Sequence, residues 1–250
     1  MASTLALAGC VAADEEADEL IAAATDATSL DAMLKRRISG EPLAWITGTT
    51  RFCGLILQVR SGVYVPRWQS ETLARTAAGL LPARGTAVDL CTGSGAIAAV
   101  MQAARPEARV VATEIDPLAA GCARANGIEV LIGDLDDVLP TELVGTVDVM
   151  TGVVPYVPAD AMHLLPHDVV AFEPQIALDG GPTGLEVVTR VIAHSTKWMA
   201  PGGWLLLEVG GGQYTEVEQL FRRAGYGQIQ ILEDGDGDPR AVCGRYEFAG

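Results

Sequence analysis

From residue 86 onward, short apolar runs alternate with longer stretches in which apolar residues recur every three or four positions. The short runs have the length of buried strands, and the longer stretches have the period of helices that bury one face. Strands are predicted at Thr86–Leu90, 109–113, Glu129–Ile132, Val147–Gly152 and 204–209. Helices are predicted at Ala96–Ala104, 117–126, 184–199 and 214–224. This alternation predicts an α/β fold with a mostly parallel sheet between two layers of helices.

The two ends of the chain show other patterns. Apolar runs at 227–232 and 241–246 predict an antiparallel hairpin that closes the sheet at its edge. Residues 12–37 are rich in Ala and acidic residues and predict one or two short helices. Residues 51–65 alternate like a β-hairpin with its turn near Ser61-Gly62, and residues 70–81 predict a helix capped by Ser70. The predicted organisation is therefore an N-terminal helical segment with a hairpin in 1–69 and a main domain in 70–250.

The loop after the first predicted strand carries a chemical signal. Asp89 lies near the strand end, and the turn that follows contains Cys91, Thr92, Gly93 and Gly95. A glycine turn in this place lets a ligand approach the backbone closely, because no Cβ intervenes. The spacing is neither the full dinucleotide fingerprint nor a phosphate-binding P-loop. Asp89 is predicted either to hold this loop or to face the ammonium group of a bound amino acid.

Acidic residues also end the next two predicted strands. Glu114, followed by Ile115, lies about 20 residues beyond the glycine turn, where nucleoside-binding folds place the carboxylate that binds ribose hydroxyls. After the third strand comes Gly133, then Asp134 as a predicted acceptor for an adenine amino group and Leu135 as a packing surface for the ring. No basic residue is placed for a pyrophosphate. The pattern therefore favours S-adenosylmethionine over NAD as the cofactor.

At these residues, over about positions 37–246, the chain resembles the HemK/PrmC-type protein-(glutamine-N5) methyltransferases. The segment 40–48 resembles the family's GEPxxYxxG stretch, residues 52–55 its FxGL, residues 65–71 its IPRxETE, and residues 172–181 its EPxxALxGG signature. The resemblance implies a Rossmann-like fold with a seven-stranded sheet, S-adenosylmethionine as cofactor, and methylation of a glutamine side-chain amide in a protein. It also places Arg67, Glu71 and Glu173 in the substrate-binding region.

The family's catalytic signature, Asn-Pro-Pro-Tyr, is altered in this chain. After the fourth strand stand Val153, Val154, Pro155 and Tyr156, which are predicted to form the floor of the substrate site. In the family, the Asn side chain and a backbone carbonyl accept the two N–H bonds of the substrate amide and align its nitrogen with the methyl donor. Valine supplies no acceptor. Three alternatives stay open: glutamine methylation through backbone carbonyls, methylation of a non-glutamine or small-molecule acceptor, or cofactor binding with little activity.

Net charge and cysteine content limit the cellular locations and the kinds of binding partner that the sequence predicts. A formal net charge of −15 disfavours direct nucleic-acid binding and suits a basic protein partner, such as a translation-associated protein. The five cysteines form no CxxC pair, and no cluster has the spacing of metal ligands. Neither a disulfide framework nor a metal is predicted. This cysteine pattern is typical of a reduced, cytoplasmic protein. No apolar run is long enough to span a bilayer, so no membrane partner is predicted.

Overall fold

The computed structural model describes residues 1–247, the side chain of His167 excepted. The N-terminal region consists of four helices and a hairpin: α1 (Ala2–Leu7), α2 (Ala13–Ala23), α3 (Ala27–Ile38), α4 (Leu43–Thr47), β1 (Thr49–Phe52) and β2 (Leu55–Gln58). The helices pack around the buried side chains of Leu5, Leu20 and Ile46. Helices were expected at 12–37, so α1 and α4 extend the helical region in both directions.

The hairpin turns earlier than the sequence predicts. Its strands pair antiparallel around a turn at Cys53-Gly54, whereas the prediction placed the turn near Ser61-Gly62. Val63 and Val65 are buried but lie outside any strand. The carbonyl oxygen of Val63 accepts a hydrogen bond from Nε1 of Trp45 at 2.9 Å. The alternating pattern beyond β2 therefore reflects packing under a tryptophan and not strand pairing, two causes that leave the same period in a sequence.

The main domain has the predicted seven-stranded sheet. Its strands are β3 (Thr86–Leu90), β4 (Arg109–Glu114), β5 (Glu129–Ile132), β6 (Val147–Gly152), β7 (Met199–Glu208), β8 (Tyr226–Glu233) and β9 (Pro239–Tyr246). Their order in the sheet is β5-β4-β3-β6-β7-β9-β8. The first five in that order are parallel, and β9 lies antiparallel between β7 and β8. The mostly parallel sheet with an antiparallel edge is therefore confirmed.

Helices cover both faces of this sheet. They are α5 (Glu71–Leu80), α6 (Ala96–Ala104), α7 (Pro117–Ala125), α8 (His167–Phe172), α9 (Glu186–Ser195) and α10 (Tyr214–Arg223). Successive strand residues enter opposite cores: Ala87 packs in the core that contains α5, α6 and α7 residues, whereas Val88 packs in the core that contains α9 and α10 residues. This alternation is the one expected of a strand buried on both faces.

Two boundaries differ from the prediction by four or more residues. The helix expected at 184–199 ends at Ser195, and the strand expected to begin at 204 begins at Met199. Met199 pairs with Val147 of β6, and the register shifts before Trp204 pairs with Val149. Pro201, Gly202 and Gly203 are residue types that weaken strands, and the sequence predicts no element there. Here they form an irregularity inside a continuous strand.

Three prolines mark the long connection between β6 and α9, for which the sequence predicts no element. Pro158, Pro166 and Pro174 each precede a short helical segment, namely Ala159–Leu164, α8 and Gln175–Ala177. These segments are too short to show a helical period. The connection contacts the N-terminal region, because Phe172 packs edge to face on Trp45 with ring centroids 6.3 Å apart.

One asparagine joins the N-terminal hairpin to the sheet. Oδ1 of Asn126, which follows α7, accepts from the backbone N–H of Gln58 at 2.8 Å. Nδ2 of Asn126 donates to the carbonyl oxygens of Gln58 at 2.9 Å and of Ser94 at 2.8 Å. Because Ser94 belongs to the glycine turn after β3, the hairpin is fixed to that turn.

Candidate active site

A cleft opens at the carboxyl ends of β3, β4, β5 and β6, where open parallel sheets bind ligands. The volume of the cleft, including the space that is open to solvent at its mouth, is about 1150 Å³. Most of the predicted cofactor residues line it: Asp89, Cys91, Thr92, Gly93, Glu114, Ile115, Asp134 and Leu135. The cleft is also lined by Phe52, Tyr64, Pro66 and Ser70 from the chain that precedes the main sheet. The strand ends singled out in the sequence therefore converge on one concave site.

Gly95 and Gly133 were predicted in the cofactor site but lie behind its lining. A Cβ at Gly95 would lie 3.0 Å from Cβ of Ala123, on α7, and the residue has a φ of 83° at the start of α6. A Cβ at Gly133 would lie 2.1 Å from Cγ1 of Val138. Both glycines allow the turns to pack closely on the neighbouring chain, a role distinct from ligand approach.

Glu114 is held in one orientation at the end of β4. Its Oε2 accepts from the backbone N–H of Gly93 at 2.8 Å, and its Oε1 accepts from that of Asp116 at 3.0 Å. The residue is buried, and burial raises the pKa of its carboxyl. Each oxygen retains lone-pair directions beyond the one amide it accepts. The cleft therefore presents a preorganised acceptor pair beside the glycine turn.

Asp89 is bound on both carboxylate oxygens. Its Oδ2 accepts from the hydroxyl of Thr92 at 2.5 Å, and its Oδ1 accepts from that of Thr151 at 2.7 Å. The residue is only 1% exposed, and burial raises its pKa to about 6 despite these two bonds. Of the two roles predicted for Asp89, this geometry favours holding the loop.

Two residues of the lining have a strained backbone. Cys91 and Leu135 have φ values of 52° and 47°, in the left-handed region that glycine favours. Such conformations cost of order 1–3 kcal/mol each and collect at functional sites. Burial raises the pKa of the Cys91 thiol, so this cysteine is not an activated nucleophile.

The mouth of the cleft carries an ion pair that the sequence did not predict. Oδ2 of Asp134 accepts from Nη2 of Arg190, on α9, at 2.7 Å, and both side chains are nearly half exposed. Both residues line the cleft. The pair occupies one oxygen of the carboxylate that was predicted to bind adenine.

The substrate floor predicted over residues 153–156 divides into two parts. Val153 and Pro155 line the cleft, next to the apolar surface of Phe52 and Ile97. Val154 is fully buried in the core, and the Tyr156 hydroxyl donates to Oε1 of Glu208 at 3.1 Å. The side chains of Val154 and Tyr156 therefore pack behind the cleft and do not line it, contrary to the prediction that all four residues form the substrate floor.

The three predicted substrate-binding residues lie outside the lining. Nη2 of Arg67 donates to Oε1 of the buried Glu173 at 2.5 Å, and the guanidinium lies 5.2 Å from the ring centroid of Tyr64, which does line the cleft. Burial raises the pKa of Glu173, and Arg67 opposes this shift. Glu71 accepts from the backbone N–H of Cys53 at 2.7 Å and pairs with Arg75 at 2.6 Å. These residues support the cleft wall and the hairpin turn from behind.

No protein-family model matches the chain. The release factor glutamine methyltransferase of Geobacter sulfurreducens is 32% identical over 219 residues, which cover 85% of this chain and 76% of that protein. The release factor glutamine methyltransferase of Mycolicibacterium smegmatis is 37% identical over 209 residues, which cover 80% of this chain and 73% of that protein. The chain belongs to the release factor glutamine methyltransferase family.

A further relative of this methyltransferase has another acceptor in its name. The 4-amino-L-phenylalanine/4-methylamino-L-phenylalanine methyltransferase of Streptomyces pristinaespiralis is 36% identical over 203 residues, 77% of this chain and 69% of that protein. Among solved structures, the hMettl16 catalytic domain matches with a TM-score of 0.62 at 17% identity, covering 79% of this chain and 77% of that one. This likeness supports the Rossmann-like methyltransferase fold.

The protein is an S-adenosylmethionine-dependent methyltransferase, and its cleft suits that cofactor. The lining combines an oriented carboxylate at Glu114, a turn open to the backbone at Gly93, and apolar side chains at Ile115 and Leu135. Among the described residues, no three His, Cys, Asp or Glu side chains are grouped as metal ligands. In the same part of the methyltransferase, no helix is long and apolar enough to cross a membrane.

Replacing Asp89 by asparagine is expected to stabilise the methyltransferase more at neutral than at acidic pH. The folded protein keeps a proton on Asp89 up to about pH 6, whereas the unfolded chain releases it near 3.8. Folding therefore loses stability as the pH rises between these values, and a neutral amide avoids that loss. We expect the free energy of unfolding of Asp89→Asn to exceed that of the wild type by about 1–3 kcal/mol at about pH 7.5, and by less at about pH 5.

Urea denaturation at both pH values measures this difference. The exposed Asp160→Asn provides the matched control and should show no such trend. An equal stability difference at both pH values would contradict the buried, proton-retaining state of Asp89.

Proposed function

We propose that this methyltransferase transfers the methyl group of S-adenosylmethionine to the side-chain amide nitrogen of a glutamine in a release factor. Family membership over most of the chain supports this activity. The observation that carries the proposal is that Val153 and Pro155, at the end of β6, line the same cleft as Glu114 and Asp134. An acceptor held at the β6 end thus lies in the space that also receives the cofactor.

The cofactor residues have separate proposed roles. Glu114 accepts from the ribose hydroxyls, because its carboxylate is already oriented by two backbone amides. Asp134 and Leu135 bind the adenine end, while Asp89 keeps the glycine turn in place through Thr92. Bound S-adenosylmethionine supplies an electrophilic methyl group on a sulfonium.

The residues that bind the methyl acceptor contribute by positioning its amide nitrogen. An amide nitrogen is a weak nucleophile, because its lone pair is delocalised into the carbonyl group. Bound S-adenosylmethionine would supply the methyl group, its carbon–sulfur bond breaking as the nitrogen–carbon bond forms, and the displaced amide proton would pass to solvent. Since Val153 has no polar side-chain atom, backbone carbonyl oxygens such as that of Val154 accept the amide N–H bonds in this proposal. Alignment of nitrogen, carbon and sulfur is then fixed by the loop itself.

We propose substrate recognition for residues 1–69, with Arg67 and Glu173 maintaining the wall that carries Tyr64. This region contributes Phe52, Tyr64 and Pro66 to the cleft. The net charge of −15 suits a basic surface on the protein partner.

A second candidate function is methylation of a small aromatic amine. Two observations favour it: Val153 replaces the amide-binding asparagine, and the relative from Streptomyces pristinaespiralis is named for 4-amino-L-phenylalanine. An amine needs no pair of acceptors to align its nitrogen. The apolar surface of Phe52, Ile97 and Val153 would pack against an aromatic ring.

Transfer of label from tritiated S-adenosylmethionine separates the two candidates. The enzyme is incubated in parallel with a purified bacterial release factor and with 4-amino-L-phenylalanine. Label on the release factor, mapped to one glutamine by mass spectrometry and lost when that glutamine is replaced by glutamate, supports the proposal. Label on the amino acid alone supports the second candidate, and label on neither contradicts both.

A further inference from the structure

The loop that follows β6 is held by two side chains that lie more than 50 positions later in the chain. Tyr156 is bound at two points. Its hydroxyl donates to Oε1 of Glu208 at 3.1 Å, and its carbonyl oxygen accepts from Nε2 of Gln213 at 2.9 Å. Glu208 ends β7, and Gln213 directly precedes α10. The backbone and the side chain of one loop residue are thus held by one turn.

Gln213 is itself held in a single orientation. Its Oε1 accepts from the backbone N–H of Gly210 at 2.8 Å, which directs Nε2 to Tyr156. The chain at Gly184 approaches this bond so closely that a Cβ there would lie 2.4 Å from the Tyr156 carbonyl oxygen and 2.8 Å from Nε2 of Gln213. Little space is left for the loop to shift at this point.

Burial of the Glu208 carboxyl group costs the fold free energy. It is 3% exposed, and burial raises its pKa, an effect that the hydroxyls of Ser70 and Tyr156 counteract. Within the described part of the chain, its Oε2 is buried without a hydrogen-bond partner. A buried carboxylate oxygen in this state costs stability. The burial of this carboxylate therefore does not stabilise the fold, and the hydrogen bond from Tyr156 offers a functional reason for its presence.

We propose that Glu208 and Gln213 are positioning residues that set the 153–156 loop for methyl transfer. The inference rests on the proposed function, because it concerns the loop that holds the acceptor. Ser70 lies beside Glu208 and lines the cleft, so this cluster of side chains reaches the cleft wall. Glu208 and Gln213 lie outside the lining, so they act through Tyr156 and the loop backbone.

Leucine variants test the proposal, because leucine keeps much of the side-chain volume and removes the hydrogen bonds. We expect Glu208→Leu and Gln213→Leu each to lower kcat for methylation of a purified bacterial release factor about tenfold, since small displacements of reacting groups cost rate. The Kd for S-adenosylmethionine should stay within about twofold of the wild type. Glu208→Gln keeps an oxygen acceptor for the Tyr156 hydroxyl and should restore kcat. Gln219→Leu, on the exposed face of α10, is the matched control.

Hydrogen–deuterium exchange supplies a readout that does not depend on the acceptor. With S-adenosylmethionine bound, the backbone amides of Val153, Val154, Tyr156 and Val157 should exchange faster in Glu208→Leu and Gln213→Leu than in the wild type. The control should match the wild type. Unchanged kcat and exchange in both leucine variants would overturn the proposal. So would a loss of S-adenosylmethionine affinity in proportion to kcat. If the wild type does not label the release factor, the proposed function fails, and the exchange result still decides whether the two residues hold the loop.

Discussion

Glu114→Ala is expected to weaken S-adenosylmethionine binding by about 100-fold or more. Two hydrogen bonds from ribose hydroxyls to a carboxylate contribute about 1.5–3 kcal/mol each, and every 1.4 kcal/mol is about tenfold in Kd. The carboxylate also holds the backbone N–H of Gly93 at 2.8 Å, so its removal loosens the glycine turn. The fold should survive, because the variant also removes a buried charge whose pKa is raised by that burial.

Isothermal titration calorimetry with S-adenosylmethionine measures the effect. Glu129→Ala, an exposed carboxylate at the start of the neighbouring strand β5, is the matched control and should bind like the wild type. Glu114→Gln keeps the shape without the charge and should fall between the two. An unchanged Kd in a folded Glu114→Ala protein would show that another residue holds the ribose.

Val153→Asn is expected to raise methyl transfer to a release factor by up to about 10²-fold. A single preorganised polar contact to the reacting group is worth about 10²–10³ in rate, and asparagine supplies the acceptor that valine lacks. The side chain is partly buried and lines the cleft, and the two residues are similar in size. The Kd for S-adenosylmethionine should not change.

Initial rates with tritiated S-adenosylmethionine test this expectation on both candidate acceptors. Val187→Asn introduces the same group elsewhere in the cleft lining, on α9, and should give no gain. If the natural acceptor is an aromatic amine, Val153→Asn should lower its methylation, because a polar group replaces the apolar floor. A large loss of cofactor affinity in Val153→Asn would instead place Val153 in the cofactor site.

The sheet and the position of the glycine turn beside the cleft could be predicted because their signals are local. A strand buried on both faces is a continuous apolar run, and Asp89, Glu114 and Asp134 lie at or near the carboxyl ends of such strands. Parallel strands carry all their carboxyl ends to one edge. Residues far apart in the sequence therefore had to meet once the strands were identified.

The supporting contacts could not be predicted because their partners are remote. Glu208 meets Tyr156 across 52 positions, Gln213 meets it across 57, and Arg190 meets Asp134 across 56. The one local signal was a carboxylate closing an apolar strand at Glu208. At Ser70 a local signal predicted a contact that the structure lacks. A serine before a helix predicts a cap, but the Ser70 side chain makes no capping bond and lies beside Glu208.

The position of β9 in the sheet has a consequence for biosynthesis. β7 pairs with β9 on the side away from β6, and β8 pairs with β9 alone among the described strands. While the chain is still being translated, β8 has no partner, and β7 presents an open edge until residues 239–246 have left the ribosome. The turn that carries Glu208 and Gln213 lies between these unfinished strands. Glu208 pairs with Ala241 of β9, so the end of β7 that contacts Tyr156 gains this sheet neighbour only once β9 has been added.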